Sequence, residues 1–363
     1  MKNHKLSRRE FLQAGTAVAL SAAASSLLGV AGCAAPVEQT AVVSIARIKN
    51  GNIAYAVEEA IDLLGGIESV AAGKERIMLK PNLVGASPTF TTKPEVVKAL
   101  AQLMLGSGKD VLIGEGSAAV NRFNIRGREV YRTNKRDILD GMQNFVFDTL
   151  GYSELAGVLG VPLVNLHSGE MVDVPVPGGF AYDQITLHQS LTEIDLLCSV
   201  PMMKTHTMAT VTLGMKNLIG LYPGTVYYSV RSRVHDHAAN AGSPGVAYEI
   251  LDMVRANKLG LTVVDGSMAM EGNGPSDGEL VRMDVIIAGT DPVATDMVAA
   301  RVIGFQPEEV PTFAQAHAGG MGPKRNDDIE IRGAAVNEVQ RQFKKPEIVR
   351  WQSINEFWGV KEL

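Results

Sequence analysis

Short apolar runs alternate along the chain with longer stretches in which apolar residues return every three or four positions. The runs at residues 42–47, 76–80, 111–114, 161–166, 194–200, 261–265 and 283–288 read as buried strands. The spacing predicts helices over residues 53–64, 94–105, 143–159 with a break at Gly151, and 244–256 with Ser243 as its cap. A further helix over residues 293–303 is opened by Asp291 and Pro292, a capping aspartate followed by a proline suited to the first turn. Residues 172–177 alternate and contain proline, which suits an edge strand or a hairpin. Strands alternating with helices predict an α/β fold: a largely parallel or mixed sheet flanked by helices, in one large domain or two lobes.

Polar residues gather where the apolar runs stop. Lys80 and Asn82, Glu115 and Ser117, Lys204 and His206, Asp265 and Asp291 each stand at or just beyond a predicted strand end. In an open α/β sheet that edge is where ligands bind. Asp291 is accounted for by its capping role. The densest group lies in residues 201–224, PMMKTHTMATVTLGMKNLIGLYPG, with Lys204, His206, Lys216 and Asn217. If residues 204–206 continue the strand, Lys204 and His206 share one face, because side chains alternate with period two. Lys204, His206 and Lys216 are therefore candidate catalytic residues, and Lys80, Asn82, Glu115, Ser117, Asn217 and Asp265 candidate ligand-binding residues. Glu271 and Asn273 join them from a glycine-rich loop, residues 265–278, through which backbone and oxygen ligands could approach a cation or a sugar. The competing reading is solvated surface lysines and a satisfied histidine.

His235 and His237, two apart in RSRVHDH, would on an extended chain face one metal ion, or else belong to a polar loop over the crevice. The sequence contains no Walker A loop, no G-x-G-x-x-G after a strand, no H-E-x-x-H and no G-x-S-x-G, which removes the commonest nucleotide, zinc-protease and serine-hydrolase readings.

The first 32 residues are set apart as a targeting segment. Ser7-Arg8-Arg9-Glu10-Phe11-Leu12 resembles a twin-arginine export motif, an Ala-rich apolar stretch follows, and Val30-Ala31-Gly32-Cys33 resembles a lipobox. The expectation is an exported, membrane-anchored lipoprotein facing the periplasm or the cell exterior. Cys33 would be the lipidated residue, residues 33–40 the tether, 41–345 the α/β domain and 346–363 a C-terminal extension. Without the leader the chain carries 30 basic against 38 acidic residues, a net charge of about −8, which disfavours a nucleic-acid partner. Only Cys198 then remains besides Cys33, so the chain alone is expected to hold no iron–sulfur cluster.

Four stretches resemble the bacterial and archaeal family called domain of unknown function 362: MKTHTMATVTLGMKNLIGLYPG, MLKPNLVG at residues 78–85, VVDGSMAMEGNGPSDG at 263–278 and IIAGTDPVATD at 286–296. Many relatives carry a Cys-rich ferredoxin-like module, and this sequence departs from that pattern. Three classes of function follow. The first is an exported enzyme whose lysines bind a carboxylate or phosphate while His206 or residues 231–237 move a proton. A looser similarity to nickel-pincer-dependent lactate racemases favours it, without an outright motif match. The second is a lipid-anchored protein that binds an anion or metal without chemistry. The third is a maturation or scaffold factor for an exported redox protein. The cofactor is left unspecified, and a small anionic ligand, the membrane and a redox partner are the candidate partners.

Overall fold

The computed structural model describes residues 40–349 and 361–363. The twin-arginine-like motif, the apolar stretch after it and Cys33 lie outside them. Residues Thr40–Leu363 form one compact unit.

Eleven strands make the main sheet: β1 (Ala41–Arg47), β2 (Arg76–Pro81), β3 (Asp110–Glu115), β4 (Leu163–Asn165), β5 (Leu196–Val200), β6 (Met202–His206), β7 (Thr210–Thr212), β8 (Leu259–Asn273), β9 (Asp277–Val281), β10 (Val285–Gly289) and β11 (Ile329–Gly333). Their order is β11-β1-β10-β8-β5-β2-β3-β4, with β6 and β9 pairing the far half of β8 and β7 pairing β6. The run β8-β5-β2-β3-β4 is parallel, whereas β10 is antiparallel to both β1 and β8. The sheet is therefore mixed, as the alternation of elements predicts.

Strand residues alternate between two cores, because successive side chains leave opposite faces. On β2, Met78 joins one core while Ile77 and Leu79 join the other; on β3, Leu112 divides from Val111 and Ile113 in the same way. Helices α1 (Ile53–Asp62), α2 (Pro94–Gly106), α3 (Arg136–Thr149) and α4 (Tyr152–Leu159) cover the second face. Helices α5 (Gly214–Asn217), α6 (Ser232–Ala241), α7 (Ala247–Ala256) and α8 (Pro292–Val302) cover the first. Asp291 caps α8, its Oδ1 accepting the Ala294 N–H at 2.8 Å. Cys198 is buried in the second core, which pushes its thiol well above the ordinary range and leaves it an inert apolar group.

Two predicted boundaries move by more than five residues, and the helix expected from residue 244 begins at Ala247 with Val246, not Ser243, at its cap. The helix expected from residue 143 starts at Arg136, and the strand expected to end at Asp265 runs on to Asn273. Gly266 and Gly272 look like turn residues in sequence, but pairing with Val285 of β10 and Gly278 of β9 keeps both in the ladder, Gly272 with a φ of 77°. Gly266 also packs where a Cβ would lie 2.8 Å from the Val285 carbonyl oxygen.

Candidate functional site

The ends of β2, β3 and β6 meet around a half-open cavity of about 660 Å³, flanked by α5 and the start of α6. Lys80, fully buried at the end of β2, donates to Glu115 Oε1 and Oε2 at 2.8 and 2.9 Å, to Asn217 Oδ1 at 3.1 Å and to the Pro81 carbonyl at 3.0 Å. Glu115 also accepts the Leu83 and Gly116 N–H groups at 2.8 and 2.7 Å. Asn217 bridges the arrangement, giving its amide N–H groups to the Lys80 carbonyl and Ser199 Oγ and accepting from Asn82 Nδ2 at 3.2 Å. Burial lowers the Lys80 ammonium from its ordinary range and Glu115 partly restores it. Lys80 is thus neutralised within the protein. Gly220 permits this packing, since a Cβ there would sit 2.5 Å from Glu115 Oε1 and 2.7 Å from Lys80 Nζ.

Lys204 and His206 do share a face of β6, as the period-two argument requires, and both line the cavity. Lys204 Nζ donates to the Phe90 and Pro275 carbonyls at 2.7 and 3.2 Å and has no carboxylate partner among the described residues. Burial first, and then the neighbouring Lys216 ammonium, pull it down to about 7. Lys216, on α5, is only partly buried and makes no hydrogen bond or ion pair with the described residues. Desolvation, Arg231 and Lys80 bring it to about 7 as well. His206 Nδ1 accepts the Met208 N–H at 3.0 Å, so the neutral ring carries its proton on Nε2. Burial and the two lysines hold His206 well below its ordinary pKa, keeping it neutral and a hydrogen-bond donor through Nε2.

Arg231 completes the basic wall. Its guanidinium, buried and lowered by desolvation to about 10, remains a cation at neutral pH. It donates to the Gly116, Ser117 and Gly220 carbonyls, at 3.0 Å for Ser117 and 2.7 Å for Gly220. The chain leading to it is strained: Tyr228, Val230 and Arg231 have φ of 64, 50 and 55°. Positive φ at non-glycine residues costs about 1 to 3 kcal/mol each and persists where surrounding contacts hold it. His235, one turn on, donates from Nδ1 to the Arg231 carbonyl at 2.9 Å, which leaves the lone pair on Nε2; burial takes its pKa down to about 3.

Residues 232–241 are helical, and this corrects the proposed histidine pair. Two residues apart on a helix point to nearly opposite sides. His235 lines the cavity, while His237 turns away to Glu249 Oε1 at 2.9 Å and stacks 4.5 Å from the Tyr182 ring. The two cannot share a metal ion, and no group of three or more His, Cys, Asp or Glu side chains among the described residues could hold one.

Lys80, Asn82, Glu115, Lys204, His206, Lys216, Asn217 and Asn273 converge on one enclosure. Ser117, Asp265 and Glu271 do not line it. Asp265 accepts the Lys93 N–H at the start of α2 at 2.9 Å and the Ser267 N–H at 3.0 Å, so it is a turn and helix-start acceptor. Glu271 accepts the Lys344 N–H at 3.0 Å, and Ser117 donates its own N–H to Gln143 Oε1 at 2.7 Å. The predicted C-terminal extension also has a place here: Glu347 and Val349 line the cavity, anchored to Asn273 Oδ1 at 2.9 Å and to the Thr207 carbonyl at 3.0 Å. Thr212 is not among the sequence candidates, and Arg231 enters them only as part of the segment 231–237. Asn82 Oδ1, Thr212 Oγ1 and Arg231 Nε, all buried on residues that line the cavity, have no hydrogen-bond partner among the described residues. Buried polar atoms are almost always paired, so three unpaired ones around one enclosure point to a ligand that pairs them.

The fold and site define a mixed-sheet α/β protein with a cavity lined by basic side chains at its strand ends. The family model described as "Domain of unknown function (DUF362)" matches residues 77–301, more than half of the chain, and the protein belongs to that family. It is 26% identical over 276 residues to the "Thylakoid-associated protein sll1697" of Synechocystis sp., covering 75% of this chain and 77% of that protein. Among solved structures, the lactate racemase apoprotein from Thermoanaerobacterium thermosaccharolyticum aligns with a TM-score of 0.43 and 14% identity over 74% of this chain. A structural-genomics crystal structure of a Thermotoga maritima protein aligns with a TM-score of 0.37 and 13% identity over 68% of it. The chain spans only 58% and 57% of those two structures' lengths.

Proposed function

We propose that this protein binds an organic anion in the basic cavity, and that Lys204 and Lys216 take up protons as the anion enters. The observation that carries the reading is the pair of lysines facing one cavity, each held near neutrality, with no carboxylate of their own among the described residues; the buried carboxylate there, Glu115, is engaged by Lys80. An entering carboxylate or phosphate supplies the missing counter-charge. A lysine that titrates near 7 is also an acid and base at working pH. Acid–base turnover of the bound anion is therefore the second reading, with Lys204 moving the proton and His206 Nε2–H holding an acceptor oxygen.

Calorimetric titration of the protein with inorganic phosphate and with acetate, in two buffers of different ionisation enthalpy at pH 7, tests this. Net proton uptake is expected, with affinity falling by up to about tenfold per pH unit per proton between pH 7 and 9. Stability of the unliganded protein moves the other way. Both lysines sit below their ordinary 10.5 in the folded state, so above about 7 the folded chain binds fewer protons than the unfolded one, and stability rises with pH. The rise slows near 9, where the Cys198 thiol ionises in the unfolded chain and stays protonated in the folded one, and it lasts until the unfolded lysines lose their own protons near 10.5. Affinity that is flat across this range, with no proton uptake, overturns the reading.

Export and lipid anchoring belong to the same proposal, supported by the order of the twin-arginine-like motif, the apolar stretch and the lipobox-like residues before Cys33. No helix among the described residues is long and apolar enough to cross a membrane. Cys33→Ala is expected to move the protein from the membrane fraction to the soluble one. Wild-type protein recovered without lipid mass on Cys33 would end the assignment.

A further inference from the structure

We propose that the anion recognised here is amphiphilic, a carboxylate or phosphate carried on a bulky apolar body, rather than an inorganic ion or a two- or three-carbon acid. The inference rests on the anion reading above and adds to it the class of ligand. Lys204, His206, Lys216, Arg231 and His235 all reach the cavity from β6, α5 and the start of α6. The loops after β2 and β3 and the hairpin that follows bring Val84, Phe90, Ala118, Ala119, Ile125 and Val130, with Arg128 the charged residue that the hairpin turn adds to the lining.

The six apolar residues form a connected surface. The Ala118 and Ala119 N–H groups both donate to the Val84 carbonyl, at 3.0 and 3.2 Å. Between them Gly85 lies so close that a Cβ would meet the Ala119 carbonyl oxygen at 2.8 Å and the Phe90 ring at 3.2 Å. Ile125 and Val130 face each other across the antiparallel pair Ile125–Arg126 and Glu129–Arg132. Buried Asn124 holds the turn into this hairpin, accepting the Val120 N–H at 2.8 Å and donating to the Ala118 carbonyl at 3.1 Å. The wall is thus pinned by backbone and side-chain bonds, and it stands in contact with the basic one, since the Val230 N–H donates to the same Ala118 carbonyl at 3.1 Å.

Size points the same way. A cavity of about 660 Å³ falls within the range of about 300 to 1,000 Å³ that houses drug-sized ligands, and an inorganic phosphate or a three-carbon acid would occupy only a small part of it. Removing the apolar wall from water contributes affinity only if the ligand brings an apolar surface to meet it. The unpaired Asn82 Oδ1 adds an acceptor on the same side, so a hydroxyl or amide N–H between the anionic end and the apolar body would find a partner.

The test compares three probes on the full chain at pH 7 by calorimetry or competition: acetate, 1-naphthylacetate and the neutral 1-naphthylacetamide. We expect naphthylacetate to bind at least about 100-fold more tightly than acetate, as burial of an aromatic ring predicts, and at least about tenfold more tightly than the amide. The half-buried Val130, replaced by asparagine, is expected to cut the naphthylacetate-to-acetate ratio about tenfold. Equal affinity for acetate and naphthylacetate overturns the amphiphile proposal and leaves the anion reading standing. Equal affinity for naphthylacetate and its amide overturns the anion reading instead. A Val130→Asn protein that keeps its fold, judged by its urea midpoint, and keeps the wild-type ratio removes the apolar wall from the argument.

Discussion

Lys216→Met is expected to stabilise the unliganded protein at pH 7 while weakening anion binding about 10- to 100-fold. The stability gain, on the order of 1 kcal/mol, comes from removing an ammonium that Arg231 and Lys80 repel and that burial disfavours. The affinity loss is that of one charge-assisted hydrogen bond to the ligand, about 1.5 to 3 kcal/mol. Lys216 is the clean position because it makes no bond within the described protein. Lys204 is not: its Nζ pairs the Phe90 and Pro275 carbonyls, and Lys204→Met would strand both at about 1 to 3 kcal/mol each. Urea denaturation alongside phosphate titration decides the matter. If Lys216→Met lowers the unfolding free energy, Lys216 is a structural cation and the anion site loses its main support.

Glu115→Gln is expected to have the largest effect on stability of any change at the site, a loss of about 3 to 5 kcal/mol. The carboxylate compensates the fully buried Lys80 and receives the Leu83 and Gly116 N–H groups, whereas glutamine offers one acceptor oxygen and no charge. The double change Lys80→Met with Glu115→Gln should recover a large part of that loss, because it removes the uncompensated buried ammonium. Equilibrium urea unfolding of the two single variants and the double one gives the coupling. Additive losses would mean that the two groups do not act as a pair.

The strand ends were legible because apolar runs stop abruptly at Lys80, Glu115 and Lys204, and each of these lines the cavity. What those groups do there was not legible. Lys80 finds its counter-charge 35 residues on and its amide partner 137 residues on, separations that no local pattern encodes. Asp265 shows the converse: a polar residue after an apolar run that turns to the Lys93 N–H at the start of a helix. The helix Ser232–Ala241 escaped the periodicity argument because its buried apolar residues are only Val234 and Ala238, amid Arg, His, Asp and Asn. With that helix hidden, Arg231 could not be seen to enter the cavity, nor could His235 and His237 be separated. Residues 346–349 carry no motif, and only the fold shows that Glu347 and Val349 reach the site.

The single bond from the Met208 N–H to His206 Nδ1 has a bearing on what this cavity can discriminate. To ligate a metal ion or accept from an ammonium or hydroxyl group, His206 would need its lone pair on Nε2, which requires a proton on Nδ1 and the loss of that backbone bond. Protonating the ring instead makes both nitrogens donors and costs the same bond. At this point the cavity therefore presents a fixed donor, suited to electron-rich partners, and turning it into an acceptor costs the Met208–His206 bond in the turn between β6 and β7.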